Sequence, residues 1–134
     1  MSALSLRFIG SGDAFGSGGR FQACILLSSD AGTVLLDCGA SSLIALKQAS
    51  VDPNTIDAIV VSHFHGDHFG GIPFFVIDGT IAKRDRPLVV AGPAGIERRV
   101  RAAADALFPG SADAPRSFGP TYIELAAGQV TAVG

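Results

Sequence analysis

The chain has 134 residues, 48% of them hydrophobic and 16% charged, which excludes a disordered tail or a charge-driven linker and predicts a single compact unit. Its formal net charge of −2, from 10 basic and 12 acidic groups, excludes the broad basic footprint of an extended nucleic-acid interface but not a small phosphate site. Two cysteines, Cys24 and Cys38, make no disulfide framework and predict a reducing, cytoplasmic setting. Met1-Ser2-Ala3-Leu4 lacks the charged start of a leader, and no apolar run approaches the ~18 residues of a membrane span. With no Trp, one Tyr and nine Phe, the core must be built from Phe and aliphatic side chains.

Leu4 to Ile9 alternates as a strand and leads into a glycine-rich loop, Gly10 to Gly19. Phe21 to Ser28 and Thr33 to Leu36 read as two strands joined by a tight turn at Ser29-Asp30-Ala31-Gly32. Asp37-Cys38-Gly39 breaks the third strand, and Ser41 to Gln48 reads as a helix that Ser41 or Ser42 is placed to cap. Ala58 to Val61 and Pro87 to Ala91 are short apolar runs suited to strands buried on both faces. Phe69 to Ile81 is helix-compatible with Pro73 in an early turn. Ile96 to Phe108 repeats its apolar positions at helical spacing and ends at Pro109-Gly110. Thr121 to Leu125 is a last strand, with Ala126 to Gln129 as a turn into another. Strands first, then strand–helix alternation, predict an α+β mixed sheet with helices packed on it.

The chemistry is concentrated in Ser62-His63-Phe64-His65-Gly66-Asp67-His68, which follows the apolar run ending at Val61 and contains all three histidines of the chain. In extended backbone His63 and His65 point to one side and can share an ion. Gly66 permits a sharp turn, after which Asp67 and His68 face a different direction and suit a second ion. Imidazole with carboxylate suits zinc, with manganese or iron as alternatives. A strand–helix junction carrying ordinary polar residues does not account for three histidines and an aspartate in six positions.

This His-x-His-x-Asp-His pattern resembles the signature of the metallo-β-lactamase-fold hydrolases. The flanks agree: Leu36-Asp37-Cys38-Gly39 before the helix, Asp57 to Ser62 leading in, and Phe69-Gly70-Gly71-Ile72-Pro73 leading out. Arg86 to Gly95 and the opening Phe8 to Phe15 resemble the ribonuclease Z-like branch, and the likeness runs from about Leu6 to the last residues. The resemblance implies an αββα sandwich with metals at one edge between two sheets. His63 and His65 would hold one zinc, and Asp67 and His68 the other. It also implies hydrolysis by a metal-held hydroxide, with Asp67 as the catalytic carboxylate, acting on a small phosphodiester or ester or an RNA 3′ end. Lactone, thioester and β-lactam hydrolysis are alternatives in the same fold. The family's later ligands, two histidines and a bridging aspartate, have no match, because no histidine follows His68. Residues 1–134 are therefore expected to be the N-terminal half of such a domain. They are expected to bind metal weakly alone, and to associate with themselves or with the missing half.

Asp37 matches the family position beneath the metals, where it would accept a hydrogen bond from a ligand histidine and fix its tautomer; a turn aspartate is the plainer reading. Cys38 reads as a small buried residue. The loop Gly10 to Gly19 lacks a Gly-Lys-Ser/Thr ending and precedes a strand, so it is no phosphate loop; Asp13 and Arg20 are weak candidates for touching substrate. Asp13, Asp37 and Asp78 are the carboxylates nearest the motif that could stand in for the absent one. Arg98, Arg99 and Arg101 read as a solvated helix face.

Overall fold

The computed structural model describes residues 3–134; Met1 and Ser2, part of the segment read above for a leader, lie outside the described residues. One six-stranded sheet runs in the order β1-β2-β3-β4-β5-β6. Strands β1 (Ser5–Gly10), β2 (Cys24–Ser29) and β3 (Gly32–Leu36) form an antiparallel meander. The crossovers to β4 (Ala58–Val60), β5 (Leu88–Gly92) and β6 (Pro120–Glu124) make the rest parallel. The helices are α1 (Ser42–Gln48), α2 (Gly66–Phe69), α3 (Ile72–Ile81) and α4 (Ile96–Leu107). The strands and helices expected from the sequence are present within a few residues at their ends, apart from one split helix and one strand that does not follow.

Register decides which side chains share a face. Leu26 pairs with Leu35, Leu35 with Ile59 and Ile59 with Val90, so these buried residues stack in one row across the sheet. They pack against Leu46 of α1, Ile72 and Phe75 of α3, and Ile96 and Val100 of α4. The opposite face carries Leu6 and Phe8 of β1, which pair with Leu27 and Ile25, and it is open: Leu6 is 53% and Phe8 64% exposed. Val133 and Gly134 line a cleft over this face together with Leu4, Leu27, Val34 and Val89.

Three details depart from the sequence reading. The single helix expected from Phe69 to Ile81 is split, because the Gly71 N–H donates to the Cys38 carbonyl (2.9 Å). Pro73 then falls in the first turn of α3, where a missing N–H leaves nothing unpaired. The Ser41 hydroxyl accepts the Gln22 N–H (2.9 Å) rather than capping α1, and Ser42 is fully buried with its Oγ unpaired. The turn after β6 forms, with Gln129 N–H on the Ala126 carbonyl, but among the described residues no strand follows it.

Candidate metal centre

The motif sits at the carboxyl ends of β3 and β4, where parallel strands release their chains. Asp37 follows the last residue of β3, and its N–H still donates to the Val60 carbonyl (2.8 Å). Its φ of +62° turns the chain out of the sheet, a conformation that aspartate tolerates better than most residues. Cys38 N–H then donates to the His68 carbonyl (2.8 Å). The Asp37–Gly39 turn lies so close to α2 that a Cβ on Gly39 would overlap the Asp67 carbonyl oxygen. This backbone contact brings the two ends of the site together. The β4 chain is held in sheet geometry one residue longer by Val61 N–H on the Ala91 carbonyl (2.7 Å), and then releases Ser62 and His63. His65 is extended (φ −76°, ψ 146°) and starts α2, with its carbonyl accepting the N–H groups of His68 and Phe69.

The structure places all four motif residues in one cluster. The His63 and His65 rings lie 4.7 Å apart edge to face, and the His63 and His68 rings 4.0 Å apart. His68 Nε2 is 3.2 Å from Asp67 Oδ2. His63 and His65 are exposed, while the His68 and Asp67 side chains retain only 25% and 15% of their exposure. Asp37 joins the cluster from below: its Oδ2 lies 2.7 Å from His68 Nδ1, and its Oδ1 accepts the Ser62 N–H at 2.7 Å. His68 thus stands between two carboxylates, Asp37 at Nδ1 and Asp67 at Nε2.

The donor set suits a divalent ion in kind, since it brings imidazole nitrogens together with a carboxylate oxygen, His68 Nε2 lying 3.2 Å from Asp67 Oδ2. Among the described residues no three His, Cys, Asp or Glu side chains converge on a single point. The remaining candidates are engaged elsewhere. Asp13 is turned into its own loop, accepting the N–H groups of Phe15 and Ser17 and the Ser17 hydroxyl (2.5 Å). The Ser17 hydroxyl, followed by these backbone bonds, holds its carboxyl below the ordinary range. Asp78 pairs with Lys47 at 2.5 Å. Arg98, Arg99 and Arg101 are exposed; Arg99 lies 5.6 Å over the Phe64 ring and Arg101 pairs with Asp113. Cys24 and Cys38 are buried free thiols, and burial pushes Cys24 up to about 11 and Cys38 higher still.

Sequence reasoning passed over Ser62, whose hydroxyl is 2.8 Å from Asp37 Oδ2 and 3.0 Å from His63 Nδ1. Its place before His63 was visible, but only the fold could bring Asp37 to it.

Ribonuclease Z of Agathobacter rectalis is 35% identical over 83 residues, covering 62% of this chain and 27% of that enzyme. The short form of human tRNase Z superposes with a TM-score of 0.75 at 23% identity, over 98% of this chain and 49% of that one. The metallo-β-lactamase-fold protein YhfI of Bacillus subtilis superposes with a TM-score of 0.69 at 23% identity, over 96% and 48%. The chain thus spans about half of each solved structure and a smaller part of the curated relative. Its fold is the ribonuclease Z-like form of the metallo-β-lactamase fold. Residues 4–98 match the family described as anti-Pycsar protein Apyc1, and the chain belongs to that family.

Proposed function

We propose that the protein is a metal-dependent phosphodiester hydrolase and that this chain carries the N-terminal half of its metal site. The observation that carries the reading is the packing of His63, His65, Asp67 and His68 into one cluster at the ends of β3 and β4, with Asp37 beneath His68. His63 and His65 would hold one ion, Asp67 and His68 a second. Zinc suits this set best, with manganese or iron as alternatives. When bound, such ions supply a water ionised near neutral pH and positive charge for a developing oxyanion. Asp37 Oδ2 keeps the His68 proton on Nδ1, and Asp67 takes the proton of the attacking water at Oδ2. The ribonuclease names of the relatives favour a phosphodiester in an RNA 3′ end or a small cyclic molecule. Two buried free thiols favour a reducing, cytoplasmic setting. Among the described residues no helix is long and apolar enough to cross a membrane.

A second reading, that the chain acts as an assembly half, is favoured by the open sheet face at Leu6 and Phe8 and by each donor pair being one protein ligand short of a catalytic zinc. Metal content and turnover of a bis-nitrophenyl phosphate separate the two. Chelator-sensitive turnover that returns with zinc supports the hydrolase. Turnover that survives complete metal removal sinks it. An inactive chain that gains activity on mixing with residues completing the fold supports the assembly reading.

A further inference from the structure

We infer that Ser62 is a positioning residue that extends the hold of Asp37 from one histidine to two. Asp37 Oδ2 stands 2.7 Å from His68 Nδ1 and 2.8 Å from Ser62 Oγ, and Ser62 Oγ stands 3.0 Å from His63 Nδ1. A carboxylate only accepts hydrogen bonds, so the direction of the chain is fixed. His68 Nδ1–H and the Ser62 hydroxyl both donate to Oδ2. The hydroxyl has then spent its single proton, and its oxygen is left to accept from His63 Nδ1–H. His63 is thereby held as the Nδ1–H tautomer with its lone pair on Nε2, and His68 keeps a proton on the Nδ1 that faces Asp37. An unconstrained imidazole prefers the opposite form, so this bias must come from the protein.

Two further features make the relay well defined. Asp37 Oδ1 accepts the Ser62 backbone N–H at 2.7 Å, so the carboxylate grips Ser62 at two points and cannot rotate away. Asp37 itself is held by its N–H on the Val60 carbonyl and by its left-handed turn at φ +62°. His65 has no hydrogen bond to this chain of groups, so the relay distinguishes His63 and His68 from their neighbour. The inference rests on the proposed site in one respect only: an Nδ1 held by the protein leaves Nε2 as the atom each ring offers to an ion. The tautomers themselves exist without metal.

The test is long-range 15N–1H spectroscopy of 15N-histidine-labelled, metal-free protein at about pH 8, above the ordinary imidazole range. The expected result is that both rings carry a proton on Nδ1 and that His63 has a bare Nε2. Ser62→Ala should shift His63 toward the Nε2–H form while His68 stays as it was. Ser62→Thr, which keeps the hydroxyl, should restore His63. An Nε2–H His63 in the unsubstituted protein, or a His63 unmoved by Ser62→Ala in a chain whose amide spectrum shows it folded, overturns the inference. Zinc titration of the same sample judges the parent reading separately. Nε2 shifts at His63 and His68 under zinc in large excess, as pairs one ligand short require, support the ligand assignment; tautomers as expected with no response at any zinc concentration leave the relay standing and sink that assignment. Loss of the hydroxyl should also weaken zinc binding about 10- to 100-fold, the range for residues that orient a ligand.

Discussion

The His63 and His65 side chains lie on the surface and pack against no buried core. Replacing either with alanine should therefore leave stability within about 0.5 kcal/mol of the original. The same change removes one of only two imidazoles available to an ion, and activity of the assembled protein should fall at least about 100-fold. Near-normal turnover with full metal content in either variant would show that these rings are not ligands. The buried thiols make the opposite kind of prediction, because they touch stability and not activity. Burial raises Cys24 from 9.0 to about 11, with Cys38 raised further, so in the folded state both stay protonated where the unfolded chain has begun to ionise. Their contribution is intact below about pH 9 and is lost as pH climbs toward 11, with a slope approaching about 1.4 kcal/mol per pH unit for each thiol. Tyr122, also pushed up by burial, adds a loss of the same sign. Denaturant midpoints measured across this window should fall with pH, and alkylation of both cysteines should wait for unfolding; rapid labelling of the native protein would contradict it.

At the scale of elements, the site depends on two backbones in contact. A Cβ on Gly71 would overlap the Gly39 carbonyl oxygen, a rigid backbone atom and not the end of a flexible side chain. Gly71→Ala should push the start of α3 away from the Asp37–Gly39 turn and break the Gly71 N–H to Cys38 bond, at a cost of about 1–3 kcal/mol. Because that turn also carries Asp37, the same variant should disturb the His68–Asp37 contact, which calorimetry and the His68 ring signals can check together. A wild-type melting curve for Gly71→Ala would mean the two backbones have room to spare. This junction also marks the limit of what the sequence discloses. Strand alternation, the Ser29–Gly32 turn and the helical spacing from Ile96 are local patterns, and each produced its element nearly to the residue. The histidine window was legible for the same reason, since four donors in six positions need no tertiary contact to be noticed. The break between α2 and α3 was not, because it is made by a hydrogen bond to Cys38, 33 positions away in the chain. Nor was Arg84, 2% exposed, whose guanidinium donates to the carbonyls of Pro53, Ile56, Arg86 and Pro87 and lies over the Phe118 ring. A charged residue reads as surface until the fold surrounds it with acceptors.

For the whole molecule, the decisive asymmetry is between the two faces of one sheet. The helix side is closed by α1, α3 and α4 around residues such as Leu35, Ile59 and Val90, all fully buried. The other side leaves Leu6 and Phe8 of β1, and Leu4 just before it, at 53%, 64% and 69% exposure, with Ile25 and Leu27 beside them only half-buried. A contiguous apolar surface of this kind is uncommon on a protein that stays monomeric. β1 is also an edge strand, so its outer backbone groups add a second route to association. The chain in solution is therefore expected to associate with itself, and the two routes can be told apart. Phe8→Lys places a charge on the open face, where the native ring contributes little to the fold, so stability should change by about 0.5 kcal/mol or less while association weakens. Ser5→Pro removes one backbone N–H at the start of the edge strand and keeps Leu6 and Phe8. Sedimentation should show the original chain as a dimer or larger, Phe8→Lys shifted toward monomer with reduced binding of an apolar dye, and Ser5→Pro still associated through the face. A monodisperse monomer with no dye binding in the unsubstituted chain would mean that this face is covered from within. If only Ser5→Pro dissociates the assembly, the edge of β1 and not the open face carries the contact.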